Sequence, residues 1–136
     1  MGTPSIMLET HPGPVRIAGD RDALVSCIEA CIECAQACTA CADACLAEDE
    51  VASLTGCIAA NLDCATICRA TGQIVSRQGG ASAQVVKATL NACRAACDEC
   101  ARHCEGHAEQ YEHCRACARV CRRCEDACRE LIAAIG

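Results

Sequence analysis

The chain has 136 residues, enough for one domain, and 18 of them are cysteine, against one tyrosine and no phenylalanine or tryptophan. Leucine, isoleucine and valine together number 23, about 17% of the chain, so an ordinary aromatic and aliphatic core is excluded: either the cysteines form the interior or there is none. A net charge of −6 argues against a nucleic-acid partner.

Residues 1–19 read as an irregular tail, because Pro4, Pro12 and Pro14 interrupt them. They hold no apolar run of the length a signal peptide needs, and no later segment approaches about 18 consecutive apolar residues, so a soluble cytoplasmic protein without a membrane partner is expected. In that reducing compartment thiols stay free or hold metal.

Residues 20–136 divide into four segments. Asp20 offers a helix start, and an alanine-rich stretch follows over about 21–46. The acidic turn Glu48-Asp49-Glu50 precedes a second helix, about 51–76, with Asp49 or Ser53 as its N-cap. Gln78-Gly79-Gly80 is the clearest break. Ser82 then caps a third helix, about 82–105, with Gly106 at its C′ position, and a fourth covers about 108–134.

Cysteine spacing supplies the period. The first segment carries Cys27, Cys31, Cys34, Cys38, Cys41 and Cys45, the third Cys93, Cys97, Cys100 and Cys104, and the fourth Cys114, Cys117, Cys121, Cys124 and Cys128. Steps of three and four alternate, which are the a and d positions of a heptad and place these side chains on one face of each helix. The second segment has Cys57, Cys64 and Cys68, and Asn61 fills the missing position between the first two. Four helices with short connections and one inward stripe each describe an all-α, up-and-down antiparallel four-helix bundle with a cysteine-lined core. At 1.5 Å per residue the Cys27–Cys45 stripe is about 27 Å long.

Extending the register outward brings Leu24, Val75, Val86, Leu90, Leu131 and Ile135 to one end as an apolar plug. The other end collects Cys45, Cys57, Cys104 and Cys114 with His103, His107 and His113, and reads as polar. A further apolar face on helices one and two, from Val25, Ile28, Ile32, Ile58 and Leu62, points to a subunit contact there, since helices three and four carry Arg115, Arg119, Arg122 and Arg129 outside.

Leucine would fill the lining positions better than cysteine, by about 0.8 kcal/mol per buried CH₂, so a purely structural role does not account for 18 thiols. Neighbours on one helix turn are poorly placed for disulfides, and five interior CxxC pairs do not fit a redox enzyme, which uses one exposed pair at a helix start. No Cys-Pro follows any cysteine run, against an iron–sulfur site. Binding of a soft metal remains, with no catalytic role. Thiolates alone select Cu(I), zinc or cadmium, and two- or three-sulfur sites shared along the stripes suit Cu(I), at about one ion per cysteine. A zinc or cadmium store and a metal-free, redox-responsive structural bundle are the alternatives.

The repeated CxxxCxxC on successive helices, the Asp63-Cys64-Ala65-Thr66-Ile67-Cys68 stretch and the His113-Cys114-Arg115-Ala116-Cys117 start of the last helix resemble the four-helix-bundle copper storage proteins, specifically their cytosolic branch. The resemblance covers about residues 20–136. It implies a homotetramer of bundles, each storing many Cu(I) ions on the core cysteines, with entry at the end bearing His103, His107 and His113; Asn61 departs from an all-cysteine stripe, and its amide oxygen either joins a copper site or fills space.

Overall fold

A computed structural model describes residues 2–15, 17, 20–80 and 82–135. Its elements are α1 (Thr3–Glu9), α2 (Arg21–Leu46), a 3-10 turn (Val51–Leu54), α3 (Thr55–Ser76), α4 (Ala83–Glu105) and α5 (Glu112–Ile135), and no strand occurs among the described residues. α2 packs on α3, α3 on α4, α4 on α5 and α5 back on α2, which closes the four long helices into an up-and-down ring.

Capping chemistry sets two of the starts. The Asp20 carboxylate accepts the Ala23 N–H at 3.1 Å and begins α2, and the Ser82 hydroxyl accepts the Val85 N–H at 3.4 Å and begins α4. α3 differs from expectation. Neither Asp49 nor Ser53 caps it; the Ser53 hydroxyl donates back to the Glu50 carbonyl at 2.8 Å, inside a 3-10 turn that delays the α-helix to Thr55. That turn drives Leu54 into full burial. The connection of α4 to α5 differs too. Gly106 is right-handed, at φ −65° and ψ −19°, rather than the left-handed C′ glycine expected, so the chain leaves α4 through further turns and α5 starts at Glu112, four residues late.

The tail is not wholly irregular. Thr3–Glu9 forms α1, with Pro4 in its first turn, where a missing N–H costs nothing. α1 packs on α2, and Leu8 joins Ile28 in the buried cluster. Ile28 is only 3% exposed and so leaves the outer apolar face, which is carried instead by Ile32 at 60% and Leu62 at 50%. These two residues belong to α2 and α3. The α4–α5 side is polar: Arg122 binds Asp98 at 2.7 Å, Glu105 at 2.8 Å and Glu125 at 2.9 Å, and Arg129 also holds the buried Glu125 at 2.9 Å.

Leu24, Val75, Val86, Leu90 and Leu131 are fully buried at one end of the bundle, with Ile135 packed against them at its edge. The middle is filled by sulfur and alanine. No run of 18 apolar residues occurs, yet two helices match a membrane span in average composition. Windows within Arg21–Leu46 and Val51–Ser76 reach a mean hydropathy of 1.4, enough by length and composition to cross a bilayer. Cysteine and alanine produce that value, and 50% and 33% of the two windows are buried inside the bundle.

Candidate metal centre

All 18 cysteines are buried and free. The heptad register explains this: on each helix the a and d positions face the axis, and four helices turn their stripes toward one another. Sulfur atoms approach across helices as closely as along them. Cys38 Sγ lies 3.6 Å from Cys121 and 3.8 Å from Cys100; Cys34 Sγ lies 3.9 Å from Cys64; Cys68 Sγ lies 3.7 Å from Cys97.

Four-thiol groups result at successive levels. Going down from the plug, they are Cys31/Cys93/Cys124/Cys128, Cys34/Cys68/Cys97/Cys124, Cys34/Cys38/Cys64/Cys121 and Cys38/Cys100/Cys117/Cys121, each with its sulfurs within 4.8 Å of one another. Consecutive groups share a member: Cys124 joins the first two, Cys34 the next pair, and Cys38 with Cys121 the last pair. Sulfurs at this spacing can converge on an ion at about 2.3 Å with little movement. Cys27 adjoins the top of this ladder through Cys128 and Cys31.

Asn61 stands at the lower end of the ladder with its side chain fully buried. Its Oδ1 accepts the Cys100 thiol at 2.9 Å and the Cys117 thiol at 3.4 Å, with Cys104 at 3.7 Å, and its Nδ2 donates to Cys57 at 3.8 Å. No buried side-chain nitrogen or oxygen among the described residues lacks a partner. Four sulfurs and one amide thus replace what a hydrocarbon layer would supply, and the amide leaves its oxygen directed at three potential ligands.

Below Asn61 lies a mixed group of Cys41, Cys45, His113 and Cys114. The His113 Nδ1 is 3.5 Å from Cys41 Sγ and 3.7 Å from Cys114 Sγ, while its Nε2 is 2.9 Å from a Glu48 carboxylate oxygen. Tyr111 stacks on the ring with centroids 5.6 Å apart. The other histidines are placed differently. His103 Nε2 lies 3.3 Å from Glu99, and His107 Nδ1 lies 3.0 Å from the His103 carbonyl. The histidine-bearing end is not polar throughout, because Leu54 is buried there between the end of α2 and the start of α3.

The electrostatics follow from burial and from the hydrogen bonds that neighbouring thiols exchange. Burial pushes the Cys45 thiol up to about 11 and also raises Cys114. Cys41 goes the other way, since thiols of Cys104, Cys117 and Cys57 donate to it, with His113 adding to the effect; Cys57 is raised by the same exchange with Cys104 and Cys41. Burial opposes charge on His113, but its contacts with Cys41 and Glu48 outweigh this and raise its pKa. Buried thiols that resist ionisation alone become good ligands once a cation compensates the charge.

Neither Glu48, Tyr111 nor Leu54 was legible as part of this end. Glu48 sits in an acidic turn outside the heptad register, where its place three residues after Cys45 was the only signal.

The family model of the copper storage proteins matches residues 20–133. Among solved structures, the copper storage protein Ccsp of Streptomyces lividans loaded with 10 copper equivalents is 50% identical, with a TM-score of 0.93 over 97% of this chain and 99% of that one. A variant of the Streptomyces lividans protein with one histidine replaced by alanine is 54% identical, with a TM-score of 0.85 over 86% and 98% of the two chains. A further structure, described as a cytosolic copper storage protein from Streptomyces lividans with five coppers, is 53% identical, with a TM-score of 0.84 over 85% and 97%. No curated protein matches the chain.

Proposed function

The chain belongs to the copper storage protein family, and on that premise we propose that it stores Cu(I) in the cytosol on the thiolates lining its bundle, at about one ion per cysteine. The observation that carries this reading is the ladder of four-thiol groups with shared members. Closed tetrahedral sites, as zinc prefers, would each claim four ligands, whereas a thiolate shared between neighbouring groups suits an ion content with two or three sulfurs. Charge supports the same count, because each buried thiolate needs about one positive charge to offset its desolvation. The ligand set is the 18 cysteines, with the Asn61 amide oxygen joining Cys100 or Cys117 and with His113 serving the lowest group. His103 and His107 stand at the same end and would meet copper before it reaches that group. On this reading the thiols serve as ligands for stored ions and take no catalytic role.

The exposed Ile32 and Leu62, beside a groove between α2 and α3 lined by Ala35, Thr39, Gly72 and Gln73, support assembly of bundles through these two helices into a homotetramer.

Titration of fully reduced, anaerobic protein with Cu(I) against a chromophoric Cu(I) chelator tests the reading. Saturation near 18 equivalents is expected. Saturation at about four, the number of closed four-thiolate sites these ligands could fill, would refute it. A parallel zinc titration separates a zinc store, and full oxidation of the thiols with no metal uptake would favour the redox-responsive bundle.

A further inference from the structure

The lowest site is held from outside the helices that line it. Glu48 lies in the turn after α2, and His113 lies in the first turn of α5, yet the two meet at 2.9 Å through Nε2 of the ring. A carboxylate only accepts hydrogen bonds, so this contact requires the proton of the neutral imidazole to sit on Nε2. The lone pair is then on Nδ1. That atom is turned toward two sulfurs, Cys41 at 3.5 Å and Cys114 at 3.7 Å. Tyr111, stacked on the ring, restricts its rotation.

We propose that Glu48 is the positioning residue of the entry site: by accepting the Nε2 proton of His113 it fixes the ring as the Nε2–H tautomer, and incoming Cu(I) is received by Nδ1 and passed to Cys41 and Cys114. The proposal rests on the copper-storage reading. A ring free to choose its tautomer or to rotate would present an N–H to those sulfurs for part of the time, and an N–H cannot bind a cation. Partners of this kind change the metal affinity or activity of a site by about 10–100-fold.

The test uses the copper-free, reduced protein and its Glu48→Ala, Glu48→Gln and His113→Ala variants, with helix content checked by circular dichroism. Long-range nitrogen–proton correlation spectra of the histidine side chains, at a pH where the ring is neutral, report the tautomer; His113→Ala identifies the signal. Wild type should show Nε2–H, Glu48→Ala a mixture, and Glu48→Gln the wild-type form, because the glutamine oxygen accepts the same N–H. Stopped-flow uptake from a Cu(I)–chelator complex should slow about tenfold in Glu48→Ala at unchanged capacity. It should be no slower in Glu48→Ala/His113→Ala than in His113→Ala alone. An unchanged tautomer in Glu48→Ala, or losses of the two single variants that multiply in the double variant, would overturn the role of Glu48. Wild-type protein that failed to load copper would sink the storage reading and this proposal together, whereas normal wild-type loading with an unaltered rate in Glu48→Ala would sink this proposal only.

Discussion

Leu131→Ala tests whether the plug, rather than the sulfur interior, holds the metal-free bundle together. Leu131 is fully buried on α5 among Leu24, Val75, Val86 and Leu90. The substitution removes three carbons, about 2.4 kcal/mol of transfer free energy at about 0.8 kcal/mol per CH₂. Its neighbours are branched and already fully buried, so they can only partly close the space left, which adds a cavity cost of about 24 cal/mol per Å³ unfilled. The expected loss is about 3 kcal/mol, a large part of the roughly 5–15 kcal/mol typical of a domain. Urea unfolding of the reduced, copper-free protein should show it as a lower midpoint at an unchanged slope, with a melting temperature about 10 °C lower. Cys121→Ala, in the sulfur layer, removes one atom about the size of a methyl group and should cost only about 1 kcal/mol. Copper capacity should be untouched by the leucine change, since Leu131 offers no ligand. A Leu131→Ala loss below that of Cys121→Ala would refute the division of labour between the two regions.

Asn61→Ala should lower metal-free stability by about 1 kcal/mol through loss of the Cys100 bond, and should lower Cu(I) capacity by one equivalent if the amide oxygen is a ligand; an unchanged capacity in the chelator titration removes it from the ligand set. Copper uptake should weaken as pH falls, because a raised thiol such as Cys45, pushed up to about 11 by burial, is protonated at neutral pH and must release its proton. Each proton displaced makes the affinity drop about tenfold per pH unit, and a pH indicator should detect about one proton released for each ion bound to such a thiol. Arg122 holds the Asp98 and Glu105 carboxyls below their ordinary values through its hydrogen bonds. The stabilisation is complete above the unfolded carboxylate range of about 4 and is lost as pH falls through the depressed folded values, so Arg122→Met should flatten the acid limb of the stability–pH curve, measured by urea midpoints between pH 2 and 6.

Much of the core was legible because one constraint governs it. A residue type repeated at steps of three and four can face one direction only on a helix, and so Cys27 through Cys128, together with Asn61, announce their own placement. The plug followed by extending the same count to Leu24, Val86 and Leu131. Connections obey no such period. The 3-10 turn at Val51–Leu54 and the right-handed Gly106 depend on how neighbouring helices are spaced at the ends of the bundle, and local capping preferences at Asp49 or Ser53 yield to that spacing. The Glu48–His113 contact was hidden for the same reason: it joins residues 65 positions apart across two such connections. Ile28 misled because α1 comes from a proline-bearing tail in which no helix was expected, yet it brings Leu8 into the same buried cluster.

A vessel closed at one end and filled through sites that share ligands keeps a record of its own filling. Leu24, Val75, Val86, Leu90 and Leu131 crowd the far end with apolar side chains, so an ion among Cys31, Cys93, Cys124 and Cys128 should depart by way of the groups nearer His113. Storage should then work as a queue reversed, in which the last ion received is the first returned and the deepest ions turn over slowest. Loading with two copper isotopes in succession, followed by partial removal with a chelator and mass spectrometry, reads this order directly. Equal proportions of the two isotopes in the released fraction would mean that ions exchange along the whole ladder faster than they leave it.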